Sequence, residues 1–225
     1  MSVLVAGLLA DAGAGEGAPP KPSPLDPGRY DQTFTLLPFG QTRAEVLKVL
    51  RQRFELALQP ALAATTEARH REALIGQMER DLEAIRESWT EFKGQDTGYS
   101  LSVISTEFQH NADEGVLKYM YGSTSAYFLF SADRLFELFL CVEPNTDYRD
   151  MVEKFKGIYG APTSIHLETE DPKGPYHAHW NDALFEINLA AHLSHYSCNR
   201  VRWTYQPMLP GIEQRRAAAK PSSGE

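Results

Sequence analysis

The chain has 225 residues and a formal net charge of -8, from 22 Lys and Arg against 30 Asp and Glu. That length suits one large domain or two small ones, and 42% hydrophobic with 23% charged residues excludes a wholly disordered chain. The acidic balance argues against a phosphate backbone as main partner, two cysteines exclude a disulfide-dense mini-scaffold, and no apolar run reaches the roughly 18 residues of a spanning helix.

Residues 1–28 read as a leader and linker. Ser2 to Ala10 is a short apolar run, and Ala12-Gly13-Ala14 fits the small-x-small pattern of signal-peptide cleavage. No Lys or Arg precedes Lys21, so the basic segment that opens a signal peptide is missing. Export to the periplasm is the favoured expectation, with a cytoplasmic location as the alternative. Pro19 to Pro27 then reads as an extended spacer. At the other end, residues 210–225 read as a disordered tail, being polar and small.

Thr42 with Glu45 three residues on is a capping box, and Val46, Leu47, Leu50 and Phe54 follow at helical spacing. The helix is expected from about 43 to the high fifties, broken or kinked at Pro60. Leu74, Met78, Leu82, Ile85, Trp89 and Phe92 predict a second, longer helix over 66–93 with one apolar stripe and a charged outer face. A stripe of this width is expected to lie on the protein's own sheet rather than on a partner.

From Ser100 the period changes to that of strands. Residues 101–105, 115–121, 126–130 and 135–142 are rich in aromatic and β-branched residues, with short polar turns between them that favour antiparallel hairpins. A helix capped by Asp147 and carrying Met151, Val152, Phe155 and Ile158 follows, ended by Gly160. Strands near 164–168, 176–180, 184–189 and 198–205 complete the pattern.

The fold class expected is α+β: antiparallel sheet covered by helices, in two related helix-then-strands blocks, 33–146 and 147–206, the first with an extra long helix. Setting Asp147 on Thr42 places Met151 on Val46, Phe155 on Leu50 and Tyr159 on Phe54. Further on, Trp180 matches Tyr121, Ile187 matches Phe128 and Leu189 matches Phe130.

The order Phe39-Gly40-x-Thr42-x-x-Glu45-Val46 into a helix, then strands around Tyr127 to Leu135, resembles bacterial envelope domains of the BamE (SmpA/OmlA) type. Tyr159-Gly160-x-Pro162 is similar to the L-G-x-P that ends their helix. Gln41 stands where they carry methionine, Ala132-Asp133-Arg134 stands for Asp-Gly-x, and no cysteine lies near the N-terminus. The layout also resembles uncharacterised two-block proteobacterial proteins. The resemblance implies an accessory or scaffold role in the envelope, without catalytic residues or cofactors.

Histidine is the one concentrated catalytic residue type, with His166, His177, His179, His192 and His195 in the last third. His177 and His179 lie two apart on a strand, so both imidazoles share a face, as a metal site can require; His192 and His195 lie three apart in a turn. The simpler reading is solvent-facing histidines on an edge strand and turn. No nucleophile elbow, phosphate loop or dinucleotide fingerprint occurs. Cys141 and Cys198 are candidates for one disulfide in an exported chain, and small buried apolar residues in a cytosolic one.

The expected function is therefore a non-enzymatic, envelope-associated interaction or scaffold protein that offers a sheet edge or helix face to a protein partner. A metal-binding protein or metal-dependent enzyme built on the histidines of 166–195 is one alternative. A cytoplasmic adaptor or inhibitor of a co-encoded protein is another.

Overall fold

A computed structural model of the chain describes residues 25–29, 37–94, 104–122, 124–142, 148–167, 176–191 and 198–219. It contains four α-helices and eight strands, all antiparallel and in one sheet, so the α+β class holds. The helices are α1 (Arg43–Ala64), α2 (Ala68–Glu87), α3 (Tyr148–Tyr159) and α4 (Leu209–Ala219). The strands are β1 (Thr90–Glu91), β2 (Glu114–Tyr121), β3 (Thr124–Ser131), β4 (Arg134–Val142), β5 (Ser164–Leu167), β6 (Tyr176–Asn181), β7 (Phe185–Ala191) and β8 (Asn199–Tyr205). None of the described helices is long and apolar enough to cross a membrane.

The strand order is β1-β2-β3-β4-β8-β7-β6-β5. Each block contributes four consecutive strands, and the two halves meet where β4 pairs antiparallel with β8, Leu138 opposite Trp203. The arrangement is two-fold in its topology, and one hydrogen-bonded sheet runs through both blocks. Among the equivalences expected from sequence, Val46, Leu50, Met151 and Phe155 are all buried against the sheet. The strand equivalences need correcting. Trp180 lies opposite Ile187 while Phe128 lies opposite Leu117, so Leu117, and not Tyr121, takes the place of Trp180.

Helix α1 begins as the capping box dictates: Glu45 N–H donates to Thr42 Oγ1 at 3.4 Å, and Thr42 N–H donates to Glu45 Oε2 at 2.8 Å. It does not break at Pro60 but runs on to Ala64. Pro60 has no N–H to donate to the carbonyl of Leu56, and Leu56 is exposed, so water can satisfy that oxygen. Helix α2 packs antiparallel to α1, with Arg51 bonded to Glu79 across the pair at 2.5 and 2.7 Å. It stops at Glu87, short of the expected 93, because the Ser88 hydroxyl donates to Ile85 O at 2.6 Å and accepts the Lys118 N–H of β2 at 2.8 Å. Trp89 and Phe92 would share a helix face, but in the extended chain of β1 a three-residue offset sends them to opposite sides of the sheet.

One face of the sheet is covered by α1, α2 and α3 over a core that includes Phe128, Phe130, Trp180, Ile187 and Trp203. The end of α3 is fixed by Gly160 at φ +82°, whose carbonyl accepts the Trp180 indole N–H at 2.9 Å. The linker expected over 1–28 is not wholly detached. Leu25 is buried in this core and Tyr159 Oη donates to Asp26 O at 3.1 Å, because an apolar side chain next to a groove by α3 is better buried than left in water.

Among the described residues, the other, lower face is covered only over the first half, by the turn around Ile104 and by α4. Two expectations are corrected here. Of the strand placed at 101–105, residues 101–103 lie outside the described residues, and Ile104 and Ser105 belong to a turn in which Ile104 is buried. The tail placed at 210–225 is helical as far as Ala219, and residues 220–225 lie outside the described residues. Ile212 buries its side chain among Val116, Leu129 and Phe136, so a segment with a single strong apolar anchor is held by charge as well. Arg216 donates from Nε and Nη2 to the two oxygens of Glu114 at 2.6 and 2.9 Å, and Arg215 bonds the Ser131 hydroxyl at 2.9 Å.

Cys141 and Cys198 are joined as a disulfide across a separation of 57 residues, with Cα atoms 5.4 Å apart. The bridge ties the end of β4 to the entry of β8, at the seam between the two halves.

Candidate functional site

No described element covers the second half of the lower face, formed by β8, β7, β6 and β5. Strand alternation fills it with polar residues. Arg200 and Arg202 stand two apart on β8, Glu186 and Asn188 on β7, and His177 and His179 on β6. Glu137 of β4 borders them opposite Thr204, and Glu107 reaches in from the turn after Ile104. A cavity of about 140 Å³ opens there between Glu107, His177, Asn188, Arg200 and Arg202.

The charges form one network. Arg202 donates to Glu107 Oε2 at 2.7 Å and to Glu186 Oε1 at 3.3 Å, and its Nε lies 4.0 Å from Glu137 Oε2. Arg200 Nη1 lies 3.7 Å from Glu107 Oε1, and His179 Nε2 lies 3.1 Å from Glu186 Oε1. Three carboxylates thus face two guanidiniums. Glu137 is the deepest, 3% exposed, and its Oε1 has no hydrogen-bond partner among the described residues. Burial pushes the Glu137 carboxyl up to about 8, against the pull of Arg202. For Arg202, burial acts downward, but Glu137 and Glu107 outweigh it and raise the guanidinium further.

This has a consequence for stability. Glu137 holds its proton more tightly in the fold than in the unfolded chain, so its contribution is greatest below the ordinary carboxylate pKa of 4.5 and is lost as pH rises toward about 8. Urea unfolding at about pH 5.5 and about pH 8.5 is expected to show the wild type losing stability over that window, with Glu137→Gln flattening the loss. An unchanged pH profile in the variant would place the proton elsewhere.

The sequence-predicted histidines divide. His177 and His179 do share a face, and His166 lies opposite His177 in register. His192 and His195 lie outside the described residues. Among the described residues no group of three or more His, Cys, Asp or Glu is placed to hold a metal ion. Arg200 and Arg202 line the same cavity as His177, together with Glu107 and Asn188, and their positive charge opposes a divalent cation there. Asp182 caps the β6–β7 turn by accepting the Leu184 and Phe185 N–H groups at 2.7 Å each. Glu107, Glu137, Arg200 and Arg202 were not foreseen as a group. The legible signals were Glu137 inside the apolar run Leu135 to Val142, and the alternation of Arg200 and Arg202 on a strand.

The two edges of the sheet differ. At one end β1 has only two residues, and the Ser88 hydroxyl both accepts from Lys118 N–H and lies 3.1 Å from Lys118 O, occupying the backbone of β2 beyond it. At the other end β5 pairs, among the described residues, with β6 alone, and its Ile165 is 46% exposed. Comparison with protein-family models, with curated proteins and with solved structures finds no match to this chain.

Proposed function

We propose that the protein is a non-enzymatic interaction or scaffold protein of the bacterial envelope that takes an extended segment of a protein partner on the free edge of β5. The exposed edge carries this reading. A terminal strand presents unpaired backbone groups that template another strand, and proteins blunt such edges with lysine, proline, bulges or a covering element. Ser164-Ile165-His166-Leu167 has no lysine, proline or bulge, whereas the opposite edge is shortened and occupied by Ser88. The Cys141–Cys198 bridge favours an oxidising compartment, in agreement with the resemblance to BamE-type domains.

A photoreactive residue placed at Ser164 or His166 in the native cell tests this, with one at Arg80 on the outer face of α2 as control. A discrete adduct is expected from the β5 positions and is expected to disappear in Ile165→Lys, which keeps the strand but charges its edge. No adduct from β5, or the same adduct from Arg80, would reject edge pairing.

A further inference from the structure

A second cleft, of about 620 Å³, lies at the opposite edge of the sheet, between the start of α1, β1 and the β3–β4 turn. Its volume is in the range of small-ligand and side-chain pockets. Trp89 forms its platform. The indole lies across Gly115, where any Cβ would come within 2.6 Å of ring carbons, and it meets Phe130 edge-on at 5.6 Å. Glycine at 115 is therefore what lets the ring lie against β2. Over this ring sits the guanidinium of Arg43, with Cζ 4.1 Å from the centroid and Nε 3.7 Å from Asp133 Oδ1.

The rim carries more negative than positive charge. Glu91, Asp113 and Asp133 face Arg43 and Lys93, while Glu114 below is taken up by Arg216. Lys93 pairs with Glu91 and Arg43 with Asp133, which leaves the exposed carboxylate of Asp113 as the surplus charge. An aromatic face bordered by carboxylates is the chemistry that receives a guanidinium, by cation–π attraction and by charge-assisted hydrogen bonds.

We infer that this cleft binds an arginine side chain of a protein partner, stacked on Trp89 and paired with Asp113 and Asp133, and that Arg43 is the internal stand-in that occupies the place when no partner is bound. Arg43 suits that part: its side chain is 36% exposed and its ion contact, at 3.7 Å, is long, so little holds it over the ring. The inference is independent of the β5 edge.

Of the three tryptophans, Trp180 and Trp203 are buried, so a ligand in the cleft is reported by Trp89. The probe is the peptide acetyl-Gly-Arg-Gly-amide, titrated into the full chain while Trp89 emission and its indole N–H resonance are followed. A saturable shift with Kd of about 1 mM is expected, weakened about fivefold in Asp113→Asn and tightened about fivefold in Arg43→Ala, which removes the competitor. A purely structural Arg43 would not tighten ligand binding on removal. The same peptide with citrulline in place of arginine is expected not to bind. No saturable shift in either the wild type or Arg43→Ala, or equal binding of the citrulline peptide, overturns the inference.

Discussion

Replacing Arg216 by alanine is expected to cost about 3–5 kcal/mol of unfolding free energy, because it leaves a buried carboxylate without its partner. The Glu114 side chain is 0% exposed and accepts three bonds: two from Arg216 and one from Gln109 N–H at 3.1 Å. Arg216 also donates to Glu107 O at 2.7 Å, so the same guanidinium holds the turn that brings Glu107 to the charged face. Burial opposes the charge on Arg216, and the bond and charge of Glu114 outweigh it, raising its pKa. Glu114→Gln combined with Arg216→Ala is expected to recover a large part of the loss, since the stranded charge is gone. Arg215→Ala, which loses bonds to one hydroxyl, is expected to cost only about 1 kcal/mol. Urea unfolding of the four chains measures these differences. Equal losses in the Arg215 and Arg216 variants would mean that the Glu114 ion pair adds nothing beyond an ordinary hydrogen bond, leaving α4 held by the apolar packing of Leu209 and Ile212.

The second large effect concerns the disulfide. Closing a separation of 57 residues restricts the unfolded chain, and the loop-entropy relation puts the stabilisation at about 4 kcal/mol. Cys141→Ala with Cys198→Ala is expected to lower the unfolding midpoint by roughly 10 °C, at a few degrees per kcal/mol for a body of this size. Calorimetry on the variant and on the reduced wild type checks this, and the two are expected to agree. The bridge sits where the halves meet, so its loss is expected to loosen the β4–β8 seam, which amide exchange across Leu138 to Val142 and Asn199 to Trp203 would report. A midpoint within about 2 °C of the wild type would show that the strand ladder alone fixes the seam.

The local patterns were legible because their causes are local. Thr42 and Glu45 cap α1 as their spacing requires, and the alternation in β2, β3, β4 and β8 placed those strands within a residue or two. The face shared by His177 and His179 follows from a period of two and nothing more. What failed depended on contacts distant in sequence. Residues 210–219 read as tail because among them only Ile212 announces a core. The charges that dock it, Arg216 on Glu114 and Arg215 on Ser131, have partners 102 and 84 residues away. The end of α2 was misplaced for the same reason: the bond from Lys118 to Ser88 spans 30 residues. Pro60 was read by its local rule, and the exposed end of the helix relaxed that rule.

The sequence by itself determined the α+β class and the cap of α1, since both rest on local periodicity and spacing, and it named Cys141 and Cys198 as candidates for a bridge because there are two cysteines. Tertiary structure decided that the blocks are halves of one sheet joined at β4 and β8. It also decided which strands end the sheet among the described residues, and that three carboxylates and two arginines meet on one face. Those outcomes depend on strand order and on long-range charge pairing, and a residue's local neighbours in the chain carry no record of either.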